Sequence, residues 1–323
     1  MIVKRLLLAL LSVSALALAG AQDAELAKAL DAAASGYYLL EVRAAFGTFT
    51  YEYSGLPTPF SRWVEDRALL AAAGSSRVRV LNRNAAAAMD PVLGATYADF
   101  IRETGAEALL SGRFFDEGGK ARVRFELTEL SSGILIGAGD WYVPAQAIPA
   151  YASVRPATGV LDRSRELSRL SGSSPGGLSV SVSTDRGAGA AYRVGEALTL
   201  LVGVSDDAYA RVYHVDGTGR VQLIWPNRFG GGDGHIAAGS PVRLPPDESA
   251  PYAFVMEPPY GTEFIKVVAS TAPFGDGLED FCDLGSVSSG AMTRGLTVAD
   301  AAPGAASGAA RLAEALASYY IGP

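Results

Sequence analysis

The sequence predicts two domains of different class. The first is an α+β domain, one sheet with helices on one face. The second is an all-β, immunoglobulin-like sandwich. Three observations carry this. Residues 24–149 alternate helical and strand patterns and then run through three consecutive strands. Residues 178–275 hold short strands separated by Gly- and Pro-rich turns. Between them lies Ser171–Gly177, SGSSPGG, a linker composition. The resulting division is a leader at 1–21, an α+β domain at 22–150, a linker at 151–177, a sandwich at 178–275 and a tail at 276–323.

The leader explains the compartment. Lys4 and Arg5 precede an apolar run from Leu6 to Leu18, and Ala19-Gly20-Ala21 forms a small-x-small cleavage site. This is the pattern of a secretory signal peptide, with the mature chain starting at Gln22 and a periplasmic or secreted address. The run is shorter than the roughly 20 apolar residues a membrane-spanning helix needs. Losing Lys4 and Arg5 leaves 25 basic against 34 acidic residues, a formal charge of −9. An acidic surface argues against nucleic-acid binding, which draws its affinity from Lys and Arg on phosphate. With 49% hydrophobic and 19% charged residues the chain can bury a core, so it is not a disordered polymer. Its one cysteine, Cys282, excludes an intrachain disulfide and a cysteine-built zinc site.

In the first domain, Ala24–Ala34 reads as an Ala-rich helix with Leu26, Leu30 and Ala33 on one stripe. Tyr38–Tyr53 reads as a strand. Thr58-Pro59 starts a helix, with Thr as cap and Pro in the first turn, and Gly74 ends it. Its inward face is expected to carry Phe60, Trp63, Val64 and Leu70. Arg77–Arg83 is a short strand and Tyr97–Thr104 a second helix, stopped by Gly105. Three strands follow: Ala108–Phe115, Lys120–Leu130 and Ile134–Val143. The middle one is strictly period two, with Ala121, Val123, Phe125 and Leu127 against Arg122, Arg124, Glu126 and Thr128.

Five features of this half occur in one order: the Phe46–Phe49 strand end, the Phe60–Leu70 helix, the Val78–Asn82 strand, Gly105-Ala106-Glu107-Ala108-Leu109-Leu110-Ser111-Gly112, and Leu130-Ser131-Ser132-Gly133-Ile134. Together they resemble the curli-secretion (CsgG-like) and flagellar FlgO-like family of bacterial envelope proteins, whose fold is related to the TolB N-terminal domain. The secretion-pore members of that family are lipidated and insert long hairpins into a membrane; this chain has neither a lipidation cysteine nor such a hairpin. The resemblance therefore implies the fold and a periplasmic address.

The junction at Arg155–Leu170 is charged and accommodates a short helix over Leu161–Leu170. Beyond the linker, Leu178, Val180 and Val182 alternate with serines, and Ala197–Val204 is a continuous apolar strand. Ala208–Val215 and Arg220–Trp225 form a hairpin around Asp216-Gly217-Thr218-Gly219, residues that tolerate positive φ. Pro226 ends pairing because it cannot donate to a ladder. Arg228–Gly234 is a loop. Pro241–Leu244, Tyr252–Met256 and Phe264–Ser270 bring the total to about seven strands. In the tail, Ala309–Tyr320 reads as a helix with Leu312, Leu316, Tyr319 and Tyr320 on one face.

Tyr192, Gly195-Glu196, Tyr209, the Asp216–Gly219 turn, Trp225-Pro226-Asn227, Ile236-Ala237-Ala238-Gly239 and Pro259, Gly261 and Glu263 resemble a bacterial domain of unknown function. That domain commonly lies C-terminal to envelope modules, and the resemblance implies a fold without catalytic residues.

No catalytic, cofactor-binding or metal-binding set is expected. The two histidines, His214 and His235, lack a G-x-S-x-G partner motif. The glycines at 230–232 and 234 are followed by no Lys-Ser/Thr. Asp206, Asp207, Asp216 and Asp233 are oxygen ligands of the calcium type without a known spacing, and turn capping is the plainer reading. The residues named for ligand or partner contact are Tyr209, Tyr213, Trp225, Asn227, Phe229 and His235. The expected function is a non-enzymatic, exported envelope protein that contacts other envelope proteins. The alternatives are a small-ligand or glycan sensor at the Trp225–Gly234 edge and, third, a hydrolase with an unrecognised site.

Overall fold

The computed structural model describes residues 20–81, 101, 104–169, 177–230, 232–247, 249–275, 283–286 and 310–323. The leader up to residue 19, most of the expected Tyr97–Thr104 helix, Cys282 and most of the SGSSPGG linker lie outside these residues. The chain divides into two compact units, Met1–Pro156 and Ala157–Pro323. Among the described residues, no helix is long and apolar enough to cross a membrane.

The first unit opens with helix α1 at 20–33. Strand β1 (Val42–Tyr51), helix α2 (Pro59–Gly74), and strands β2 (Val78–Leu81), β3 (Ala108–Asp116), β4 (Lys120–Glu129) and β5 (Leu135–Pro144) follow. They form one sheet in the order β2-β1-β3-β4-β5. β1 runs parallel to both its neighbours, and β3, β4 and β5 form the antiparallel meander. α2 starts where the sequence places it. The Thr58 hydroxyl accepts from the Phe60 N–H at 3.1 Å, and Ser61 Oγ accepts from the Thr58 N–H at 2.9 Å, a reciprocal cap followed by Pro59. Phe60 and Trp63 then reach the sheet, where Trp63 stacks on Trp141 at 5.7 Å and Phe60 meets Phe114 edge-on.

The β4 alternation is realised: Ala121, Val123, Phe125 and Leu127 are all buried. Each of the larger side chains contributes about 1.5–3 kcal/mol on burial. Leu70 departs from expectation and is exposed, because Ala68, Ala71 and Ala72 complete the buried stripe begun by Phe60, Trp63 and Val64. α1 closes on the same core. A Cβ at Gly137 would lie 1.9 Å from the Ala33 carbonyl oxygen, so only glycine admits the end of α1 against β5. Asp31 of α1 ties the two helices together. It accepts from the Ser75 hydroxyl at 2.5 Å and from the Ser76 and Arg77 N–H groups at 3.0 Å, and these bonds overcome desolvation to hold its carboxyl below the ordinary range.

The second unit begins with helix α3 (Thr158–Arg169) and continues through β6 (Val180–Thr184), β7 (Ala190–Arg193), β8 (Ala197–Leu198), β9 (Leu200–Val204), β10 (Ala208–Val215), β11 (Arg220–Trp225), β12 (His235–Ile236), β13 (Val242–Leu244), β14 (Phe254–Val255), β15 (Gly261–Ser270), β16 (Asp283–Ser286) and β17 (Leu312–Gly322). A seven-stranded sheet has the order β16-β11-β10-β15-β17-β7, with β12 joined to β10. A three-stranded sheet, β13-β9-β6, and a pair, β14-β8, accompany it. Val202 of β9 and Leu244 of β13 share one core with Val212, Val267 and Ala317 of the larger sheet. The seven- and three-stranded sheets thus pack on a common apolar layer, to which the β14-β8 pair adds Leu198.

Two expectations are corrected here. The tail is not a helix. Leu312–Gly322 is a strand inside the larger sheet, antiparallel to β15 through ten residue pairs and parallel to β7. Its alanines favour a helix locally, but Ala313, Ala317, Tyr319 and Ile321 also alternate at period two, and burial on the sheet decides between the two periods. The second correction concerns the linker span 151–177, whose residues 158–169 are a helix belonging to the second unit. Leu167 is fully buried, its carbonyl accepts from the Lys266 ammonium at 2.9 Å, and Arg163 donates to the Gly217 carbonyl at 3.0 Å. A cation on one of the last carbonyls of a helix satisfies an acceptor the helix itself cannot.

Candidate functional site

The larger sheet of the second unit turns one face toward the shared core. Along β15 that face carries Glu263, Ile265, Val267 and Ala269, and along β17 it carries Ala313, Ala317, Tyr319 and Ile321. Near one end the pattern turns polar across two neighbouring rows. Glu263 sits opposite Tyr319 on β17, and His214 sits opposite Gln222 on β11 and opposite Ile265 on β15, diagonal to Glu263. Four adjacent strands therefore place a staggered polar row near one end of an apolar layer. The row floors a cleft of about 530 Å³, walled by the 253–259 segment that includes β14.

Glu263 is the centre of the row and is buried. Its Oε2 accepts from the Tyr319 hydroxyl at 2.9 Å and lies 2.7 Å from His214 Nε2; its Oε1 accepts from the Gly217 N–H at 3.3 Å. A carboxylate can only accept, so Nε2 of His214 carries the hydrogen, a tautomer assigned from the network. The same imidazole lines the cleft. The His214 and Tyr319 rings lie near-parallel at 6.5 Å. Burial, and the negative charge of Glu263 beside it, push the Tyr319 phenol well above its ordinary range, so it stays a donor.

Behind Tyr319 stands a second buried tyrosine, which explains the Tyr192–Gly195–Glu196 motif. Tyr192 packs edge-on against Tyr319 at 5.8 Å and donates to Asp185 at 2.7 Å. Arg186 lies over the Tyr192 ring and pairs with Glu196 at 2.8 Å. Glu196 also accepts from the Arg193 N–H at 2.7 Å, closing the turn in which Gly195 takes a φ of 86°. Every polar member of the motif is spent on holding this corner.

The residues singled out in the sequence separate into two groups. Tyr213 and Trp225 are buried, and Trp225 is part of the core. Asn227 is buried as well. Its amide donates to the Ile224 carbonyl at 2.9 Å, and its oxygen accepts from the Phe229 and Gly230 N–H groups at 3.0 and 2.8 Å, so it shapes the chain after β11. Tyr209 and His235 meet edge-on at 5.3 Å beside β12, and Phe229 is half exposed. None of these six lines the cleft.

The aspartates act as turn caps or pair partners. Asp207 accepts from the Ala238 N–H, Asp233 from the His235 N–H, and Asp206 pairs with Arg311. Asp216 accepts from the Thr218 hydroxyl and from the Thr218 and Arg220 N–H groups. Burial opposes its ionisation, and these bonds outweigh it, holding the carboxyl below its usual range. Among the described residues no cluster of three or more His, Cys, Asp or Glu could hold a metal.

Glu263, Tyr319 and Gln222 were not singled out for a site in the sequence. A signal was present. Glu263 is in phase with Ile265, Val267 and Ala269, and His214 with Ala210 and Val212, so polar residues stand on core-facing positions of otherwise apolar strands.

The model of a family described as Domain of unknown function (DUF4384) matches residues 191–273. This is the stretch that carries the Tyr192–Glu196 corner, the Trp225-Pro226-Asn227 turn, His214 and Glu263. No curated protein matches the chain. Among solved structures it is similar to the LpoB C-terminal domain from Salmonella enterica, at 13% identity over 37% of this chain and 98% of that one, with a TM-score of 0.27. It is also similar to the PelC dodecamer from Paraburkholderia phytofirmans, at 15% identity over 35% and 80% of the two chains, with a TM-score of 0.23. The lipoprotein GNA1162 from Neisseria meningitidis shares 12% identity over 38% and 88%, with a TM-score of 0.22. Scores this low carry no functional weight.

Proposed function

We propose that this chain is an exported bacterial cell-envelope protein that binds other envelope components without transforming them, and that its recognition site is the cleft of the second unit. The observation that carries this reading is the lining of the cleft. Its described residues include Glu263, His214 and Asp216 but no Ser, Thr, Cys or Lys; both oxygens of Glu263 take hydrogen bonds from the protein itself, and Asp216 Oδ1 takes three. A concave site whose central carboxylate is held by the protein's own donors, and which lacks a nucleophile of the Ser, Thr, Cys or Lys type, supports binding. The leader at 1–21 supports the address. The immunoglobulin-like assignment of the second unit and the curli-secretion-type assignment of the first belong to the same proposal; two sheets on a shared core support the former, and the β3–β5 meander with its helical layer is compatible with the latter.

The test combines location, contact and turnover. Fractionation is expected to recover the chain, cut after Ala21, from the cell envelope. A photo-crosslinker at Val255, half exposed on the cleft wall, is expected to give a discrete adduct there. Purified protein is expected to turn over no ester, peptide or phosphate-monoester substrate. Turnover that Glu263→Gln abolishes would overturn the reading.

A further inference from the structure

The cleft contains more charge than it has free polar capacity, and the difference indicates what it takes. Six lining residues are titratable or charged: His214, Asp216, Arg220, Glu257, Glu263 and Tyr319. Glu263 is filled by the Tyr319 hydroxyl, His214 and the Gly217 N–H, and Asp216 turns its Oδ1 to three donors of its own turn. Arg220 and Glu257 are exposed, where water screens them. On the floor, two polar groups sit opposite each other on adjacent strands: His214, whose Nε2 is committed to Glu263 and which leaves Nδ1 for a ligand, and the Gln222 amide, which both donates and accepts. Ile224, Ile265, Met256 and Pro259 supply apolar surface around them.

We infer that the cleft binds an uncharged, hydroxyl-rich ligand of saccharide type, with a hydroxyl, which can both donate and accept, paired with His214 Nδ1 and a second group engaged by Gln222. This rests on the binding reading above and names its ligand class. Glu263 and Tyr319 act as positioning residues: they hold the imidazole in one orientation. That preorganisation removes part of the ordering cost a polar ligand would otherwise meet. The mixture is the usual one for a small-molecule site, a few placed polar groups in an apolar cleft within the 300–1,000 Å³ range typical of such pockets.

The two histidines make the test direct. His214 and His235 are the full histidine content of the chain, so an NMR spectrum of the imidazole protons contains two side chains. The mature chain is titrated with glucose, N-acetylglucosamine and cellobiose as neutral probes, spermidine as a cation and glucose 6-phosphate as an anion. At least one neutral saccharide is expected to move the His214 resonance while His235 stays fixed. Gln222→Ala, at a partly exposed position, is expected to weaken that binding about tenfold, or about 1.4 kcal/mol, with unchanged circular dichroism.

Movement of His214 by spermidine or the phosphate ester but by no neutral sugar would overturn the ligand class. So would silence from every saccharide at about 10 mM, tenfold above a dissociation constant of ~1 mM. If the Val255 adduct persists in that case, the binding reading survives and the saccharide assignment alone is lost.

Discussion

The edge running from Trp225 to His235 and the floor running from Tyr319 to Gln222 lie in the same unit and share strands β10 and β11. The first has the look of a site in the sequence: aromatic residues, a glycine loop and a histidine within eleven positions. In the fold, Trp225 is core, Asn227 is a cap, and the groups left at the surface meet one another. The second forms no motif in sequence, because its members come from separate strands. His214 and Glu263 are 49 residues apart, and Glu263 and Tyr319 are 56 apart. Yet it is the floor that holds a buried carboxylate, an oriented imidazole and a cleft. A compact motif is as readily a device for turning the chain as a device for binding, whereas polar side chains in the phase of a buried face need a reason for being there.

This contrast breaks most easily at Trp225. Trp225→Ala is expected to lower the unfolding free energy by about 4 kcal/mol, the range for emptying a buried indole from a core, measured by urea denaturation. Unchanged stability with lost ligand binding would return Trp225 to the role of a contact residue. Glu263→Gln sharpens the other side. It keeps the shape but replaces a three-way acceptor by an amide, leaving donors facing donors, and is expected to cost about 2 kcal/mol. It is also expected to shift the His214 imidazole resonance without moving that of His235. A variant as stable as wild type, with an unmoved His214, would mean the row is not a coupled network.

The smallest effect belongs to the hairpin rim. The Asp216 carboxyl is held below its usual range, so its contribution is present above the unfolded value of about 3.9 and is lost as pH falls below it. Asp216→Asn is expected to be less stable than wild type at pH 7, and the gap between the two is expected to close toward pH 3. A gap that stays constant with pH would place the effect in the turn geometry and not in the charge.

The parts of the fold legible in the sequence are those decided locally. The Thr58-Pro59 start of α2, the period-two face of β4 and the Asp216–Gly219 turn all follow from neighbours within a few positions. The parts that were not legible depend on distant surfaces. β17 looks helical until β15 and β7 offer it a ladder, and the short helix read at 161–170 counts as part of a linker until Leu167 and Lys266 meet. Leu70 is misplaced because alanines nearer the stripe axis pack closer to the sheet. The polar row is the extreme case, since its local signal is one out-of-place residue on each of several strands.

The most direct measurement of the central claim pairs two positions of equal exposure. Val255 on the cleft wall is 51% exposed and Phe229 on the Trp225–His235 edge is 50% exposed. A photo-crosslinker placed at each in turn, in cells, reports which surface meets an envelope component. An adduct from Val255 and none from Phe229 is the predicted result; an adduct from Phe229 with Val255 silent would contradict the assignment of the site to the cleft.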